Sequence, residues 1–408
     1  MSVRSWLRVA GALAIATAAA IVPIAPAAGA ATATATATKT FTWSGADSAA
    51  GVSQKWSDPG NWQGGVAPGP GRPVNLVFPP LHCTATGPCG NASLNDLTGM
   101  RVARLTIETG AVTGQAPIGP NYGLGGKPIS LSAGIVMTEQ PSKRLPNDVF
   151  NFMPINLTGS QTWSMDRSGM FDYAPVTGPT AILTLKVSHG SDWLFQEMGT
   201  QTGAGGADLG GLNLIGADPA NTGQRAGANG QVVVVAGAPF TVSGPVNVTD
   251  ASAFLNGTMG PVSMPGSFLW LGASVPPQEG ILASSGNVTF GSQSVMLIDA
   301  LFPGKAGEFY PQIRATGKIV LGGLTTIFQA GCAQPRGTRY TLIAARGGVS
   351  GLLSRIVHGM VEPIPQGAII ETQENDNEGS CEGPPPQWIQ IHYNDAAGTV
   401  TATAVPKP

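Results

Sequence analysis

Leu183-Thr-Leu-Lys-Val187 places Leu, Leu and Val at every second position, with Thr and Lys between them. That alternation marks a strand with one face in a core and the other in water. The same pattern recurs outward from it in short runs bounded by Gly, Pro, Asn and Ser: Val102 to Ile107, Ile129 to Leu131, Val232 to Val235, Val288 to Phe290, Ile319 to Leu321 and Trp388 to Tyr393. Leu or Val also stands at intervals of 26 residues through Leu105, Leu131, Leu157, Leu183, Leu209 and Val235. Such a period suits a solenoid, in which coils stack at about 4.8 Å and one inward side chain per coil joins an apolar column.

Composition points the same way. The 408 residues include 57 Gly and 34 Pro, nearly twice the usual share, while charged residues are only 11%. Helices want few of the former and many of the latter, so the chain is expected to be all-β. With 42% hydrophobic residues and a formal charge of -2 it can bury a large core, which argues against disorder. The near-neutral balance gives no footprint for nucleic acid or an anionic membrane. The expected fold is a single elongated right-handed parallel β-helix, and a β-sandwich or barrel of similar short strands is the rival. High glycine content favours the solenoid, because tight corners need residues free to take positive φ.

Residues 1–30 read as a signal peptide: Arg4 and Arg8 precede an apolar run from Val9 that closes on Ala28-Gly29-Ala30. Cleavage is expected after Ala30, leaving a secreted, extracellular chain. Pro23 and Pro26 interrupt the run and no second one follows, so no stable membrane span is expected after its removal. Residues 31–40 are an Ala/Thr-rich flexible leader, 41–310 the solenoid with an N-terminal Trp-rich cap, and 311–405 its closing coils. Cys83, Cys89, Cys332 and Cys381 are even in number, which in an exported chain favours disulfides. Three pairings are open, and proximity favours Cys83 with Cys89 and Cys332 with Cys381. A zinc site is the competing reading, but neither C-x-x-C nor a Cys/His pair at ligand spacing occurs.

Two segments carry a resemblance. The first holds Thr42-Trp43-Ser44-Gly45, Trp56-Ser57-Asp58-Pro59-Gly60-Asn61-Trp62 and Gly64-Gly65-Val66-Ala67-Pro68, followed by Leu94 to Leu97, Val102 to Ile107 and Tyr122 to Gly134. The second runs from Ile313 through Gly322-Gly323, Gly337 to Ile343, Val349 to Gly351, Gly367 to Ile370 and Ile389 to Tyr393 to Thr399-Val-Thr. Together they resemble the opening and closing coils of autotransporter-type passenger β-helices, the family with autotransporter-associated β-strand repeats. The resemblance implies a right-handed β-helix on or outside the cell and implies no catalytic site. No translocator barrel follows through Pro408, so ordinary secretion is expected.

Trp43, Trp56 and Trp62 are candidates for glycan contact, since a flat indole fits a pyranose face. The structural reading is that they roof the first coil and block pairing of its edge. Glu371, Glu374, Asp376, Glu378 and Glu382 offer hard oxygen ligands near Cys381, but the ordered calcium-loop pattern is absent and a solvated loop is the plainer reading. His82, His189, His358 and His392 are far apart, with no second ligand at helical or hairpin spacing. No G-x-S-x-G, G-x-G-x-x-G or P-loop pattern is met. A β-helix can host polysaccharide cleavage between paired carboxylates, yet Asp166, Asp172, Asp192, Asp208, Asp218 and Asp250 are single residues. The expectation is a noncatalytic surface or matrix component without a cofactor, in contact with extracellular glycan or protein. A polysaccharide lyase or glycoside hydrolase is the alternative.

Overall fold

The computed structural model describes residues 38–79, 90–109, 121–139, 148–165, 169–187, 192–195, 206–216, 231–234, 240–271, 280–298, 301, 304–330, 335–357, 360–374 and 388–408. Its architecture is a parallel β-solenoid with three faces. One turn shows the plan: Ile155–Leu157, then Gln161–Met165, then Gly169–Asp172. The next turn repeats it with Pro175–Val187, a bent strand whose pairing shifts between Gly178 and Ile182, followed by Asp192–Phe195. Ile155 lies opposite Val176, Trp163 opposite Leu185 and Phe171 opposite Leu194, all in parallel. Bent strands of this kind merge the first two faces into one 22-stranded ladder, while the third face is a separate 13-stranded ladder. The ladders run along the stack and do not close into a barrel.

Among the described residues between 147 and 311 stacking continues. Gly206–Gly216 pairs with Pro175–Val187, and Val246–Thr249 pairs in turn with Gly206–Gly216. The constant period of 26 does not survive, however. Leu131 does stand opposite Leu157, but Leu105 faces Ile135, and Leu183 faces Gln161 and Leu212. The reason is unequal coil length: the step from Leu209 to its neighbour Val242 spans 33 residues, and the next, from Val242 to Met259, spans 17. A solenoid fixes the spacing of its strands and leaves the connections free. Val235 lies outside the described residues.

Inward columns make the core. Leu76, Leu105 and Ile135 are successive partners with no exposed surface, as are Leu212, Val246 and Val262 with at most 2%. Each such side chain contributes roughly 1.5–3 kcal/mol of burial. The corners are crowded. At Gly134, φ is +97° and an added Cβ would sit 2.1 Å from the Thr162 carbonyl oxygen of the next coil. Only glycine fits there.

Both ends depart from the plain coil. The first strand is Thr40–Thr42, and the Lys39 carbonyl already accepts from the Asn75 N–H, so the end of the expected leader belongs to the first coil. The only helices among the described residues are Ala46–Ala49 and the 3-10 turn Pro59–Asn61. At the other end the expected closing coils begin in parallel, with Gln312–Ala315 against Arg339–Ala345 and Ile319–Val320 against Val349–Ser350, and then finish antiparallel. Thr399–Val405 runs against Arg339–Ala345, Trp388–Asn394 against Thr399–Val405, and Ile369–Glu371 against Trp388–Asn394. Reversal lets the chain cover the last parallel strand without needing another full coil.

Candidate functional site

The third sheet is apolar on both sides. Its inward positions include Val149, Met170, Ala253, Leu269 and Met296, all at 0% exposure. The positions that alternate with these pair in an unbroken backbone register: Phe150 with Phe171, Phe171 with Leu194, Leu194 with Val233, Val233 with Phe254, Phe254 with Trp270, Trp270 with Leu297 and Leu297 with Ile327. The backbone thus lines up one apolar residue per coil from Phe150 to Ile327, and before Phe150 the same line holds Gly123 and Ala92. Phe150, Phe254, Trp270 and Ile327 are half-buried, and Leu297 between the last two is buried at 7% exposure. Phe254 and Trp270 pack with ring centroids 4.2 Å apart. Phe152 and Tyr173 flank the stripe, stacked 5.0 Å apart at 11°, with Phe152 43% exposed.

Alternation fails in these strands, and that is the signal in the sequence. Asp148-Val-Phe-Asn-Phe152, Phe268-Leu-Trp-Leu271 and Val295-Met-Leu-Ile298 carry apolar residues at consecutive positions. A half-buried strand has no need of the second set. Reading for alternation passed over them.

The three indoles proposed for glycan contact lie inside the first coil. Trp43, Trp56 and Trp62 are 1%, 0% and 2% exposed, so no ring face is open to a sugar. Trp43 meets Trp62 edge to face at 5.0 Å, and Phe78 packs against all three rings. Their polar atoms turn inward too: Trp56 Nε1–H donates to Ser93 Oγ, and Trp62 Nε1–H to the Trp56 carbonyl at 2.8 Å. Sequence showed that the residues were large and flat, and burial decides what that flatness packs against.

Cys83, Cys89, Cys332 and Cys381 lie outside the described residues, as do His82, His189 and His358, Asp166, Asp218, Asp376, Glu378 and Glu382. His392 borders a shallow surface depression with Arg339, Gln366, Asp395, Thr401 and Thr403. Asp208, Asp250 and Glu371 are exposed. Asp172 is fully buried and accepts from Asn151 Nδ2 at 2.8 Å, a structural bond inside the stack. Among the described residues no three His, Cys, Asp or Glu gather as metal ligands, and no helix is long and apolar enough to cross a membrane.

The shifted ionisations are structural as well. Burial pushes the Asp96 carboxyl up, but hydrogen bonds from the Ser57 hydroxyl and N–H and from its own N–H, with Lys55 nearby, outweigh this and leave it below the usual range. Burial, then the Glu108 charge, raises the Tyr122 hydroxyl. Burial likewise pushes Tyr393 up to about 12, against a hydrogen bond from Leu353 N–H. No protein-family model, no curated protein and no solved structure matches the chain. The fold is therefore what defines its class, a three-faced parallel β-solenoid.

Proposed function

We propose that the chain is an exported, noncatalytic β-helix, a surface or extracellular-matrix component that uses the third sheet for adhesive contact with a protein partner. The observation that carries this reading is the partly open set of Phe150, Phe152, Phe254, Trp270 and Ile327 along one apolar backbone register of that sheet. A soluble protein rarely keeps a contiguous apolar strip facing out unless something docks on it. The ring geometry favours protein over sugar. Phe152 and Tyr173 stack on one another and Phe254 packs on Trp270, so one face of each ring is already taken, whereas an aliphatic or aromatic protein side chain can also use their edges. The Arg-led apolar segment at the N-terminus supports export, and the resemblance to passenger β-helices supports a place at the cell surface.

The test immobilises the purified chain and offers it extracellular protein and glycan fractions, with Phe152→Asp and Phe254→Asp as variants. Protein retention that falls at least tenfold in both variants, at an unchanged melting temperature, supports the reading. Equal retention by the variants overturns it. Release of reducing sugar from an offered polysaccharide overturns it in favour of a carbohydrate-active enzyme.

A further inference from the structure

The third sheet ends in a hairpin of Ser354–Val357 and Met360–Pro363, with Ile356 opposite Val361 and Arg355 opposite Glu362. Exposed large apolar side chains gather here: Leu352, Ile356, Met360 and Val361 are 39%, 52%, 62% and 50% open to solvent. The backbone of the hairpin is equally open on one side. Ile364 N–H donates to the Leu353 carbonyl at 2.7 Å, and bonded and non-bonded pairs alternate along an antiparallel ladder. The polar groups of Arg355 and Glu362 therefore point into the hairpin, and those of Val361 point to the free edge. Pro363 also falls at an edge-facing position and has no N–H to leave unpaired. Among the described residues no strand pairs with this edge.

The edges at the start of both sheets and that of Arg339–Ala345 are closed. Gln63 N–H bonds the Thr42 carbonyl and Ser44 N–H bonds the Asn61 carbonyl, covering the first strand. Trp56 N–H bonds the Leu94 carbonyl and Leu94 N–H bonds that of Gln54, covering the start of the third sheet. At the far end, Thr399–Val405 covers Arg339–Ala345.

We infer that Met360–Pro363 is the docking edge for a second copy of this chain, paired antiparallel about a two-fold axis at Val361. The strand is self-complementary there. Val361 meets its mate and the two exchange N–H···O=C bonds, while Ile356 of each copy extends the contact into one apolar row. Glu362 brings no unbalanced charge, because Arg355 of its own hairpin lies 3.8 Å away. The hairpin joins the third sheet through Ser354, which stands opposite Thr325. Because the two-fold axis puts the same patch of both copies into the contact, the association closes at two copies.

Sedimentation velocity on the purified chain across a dilution series tests this. The wild type is expected at twice the chain mass at the concentrated end. Val361→Pro removes an N–H that the hairpin does not use, and Ile356→Lys places a charge in the row at an exposed position. Each is expected to halve the mass while the strand circular dichroism stays unchanged. A wild type at single-chain mass throughout, or a dimer that survives both substitutions, overturns the inference.

Discussion

Asn151 donates its side-chain amide to the carboxylate of Asp172 across one step of the third sheet, 2.8 Å from Nδ2 to Oδ1, with both side chains fully buried. Asn151 also ties its own corner, giving Nδ2–H to the Met153 carbonyl and accepting from Met153 N–H. One amide thus holds a bend and a buried acid together. Asn151→Leu strips a donor from that acid and unties the corner, and should cost about 3 kcal/mol. Asp172→Asn keeps an acceptor in place and should cost about 1 kcal/mol. Urea midpoints separate the two, and equal losses would contradict the assignment.

The indole cluster sets a contrast between inside and outside. Trp62→Ala opens a cavity beneath Trp43, Trp56 and Phe78 and should lose about 3–5 kcal/mol. Phe152→Ser, at a position 43% exposed, should lose about 1 kcal/mol or less. Thermal melts of the two variants check this, and a Trp62→Ala protein as stable as wild type would show that the first coil does not depend on the cluster.

Gly134 and Gly99 both hold positive φ, at +97° and +70°, but only Gly134 has backbone close above it. An alanine at Gly99 meets nothing within 4 Å and should cost only the left-handed conformation, about 1–2 kcal/mol. At Gly134 the methyl would press on the Thr162 carbonyl oxygen, so the coils must part and the loss should reach about 3 kcal/mol or more. Denaturation midpoints that rank Gly99→Ala below Gly134→Ala would contradict this.

The strands were legible because their pattern is local. Val288 to Phe290 is found where alternation places it, and Leu183 to Val187 forms the second half of Pro175–Val187. Register was not, because it depends on how much chain each corner takes, and nothing near Leu183 states that its neighbour is Leu212. The antiparallel finish escaped for a related reason: Thr399–Val405 alternates like any strand, and direction leaves no mark in composition. At the candidate site the limit was different. Three Trp near the N-terminus draw the eye as a ligand platform, while the register of the third sheet, mostly Phe, Leu, Val and Ile with Trp270 among them, gains its meaning only when successive coils are stacked.

Tyr393 closes the C-terminal end, and its titration gives a pH dependence whose sign can be worked out. Its hydroxyl accepts from Leu353 N–H at 3.1 Å and donates to the Ile364 carbonyl at 2.9 Å. In an unfolded chain tyrosine titrates near 10, whereas burial pushes this one up to about 12. Between those values the unfolded chain gives up a proton that the folded chain keeps. The contribution is therefore complete below about pH 10 and is lost as pH rises through about 12. Tyr122, raised by burial and then by Glu108, acts in the same direction. Tyr393→Phe should lower stability at neutral pH by about 1 kcal/mol and flatten part of the alkaline decline, leaving the share due to Tyr122. Urea midpoints measured from pH 9 to pH 12 read both effects. A variant that declines as steeply as wild type would mean that this hydroxyl is not what the alkaline chain loses first.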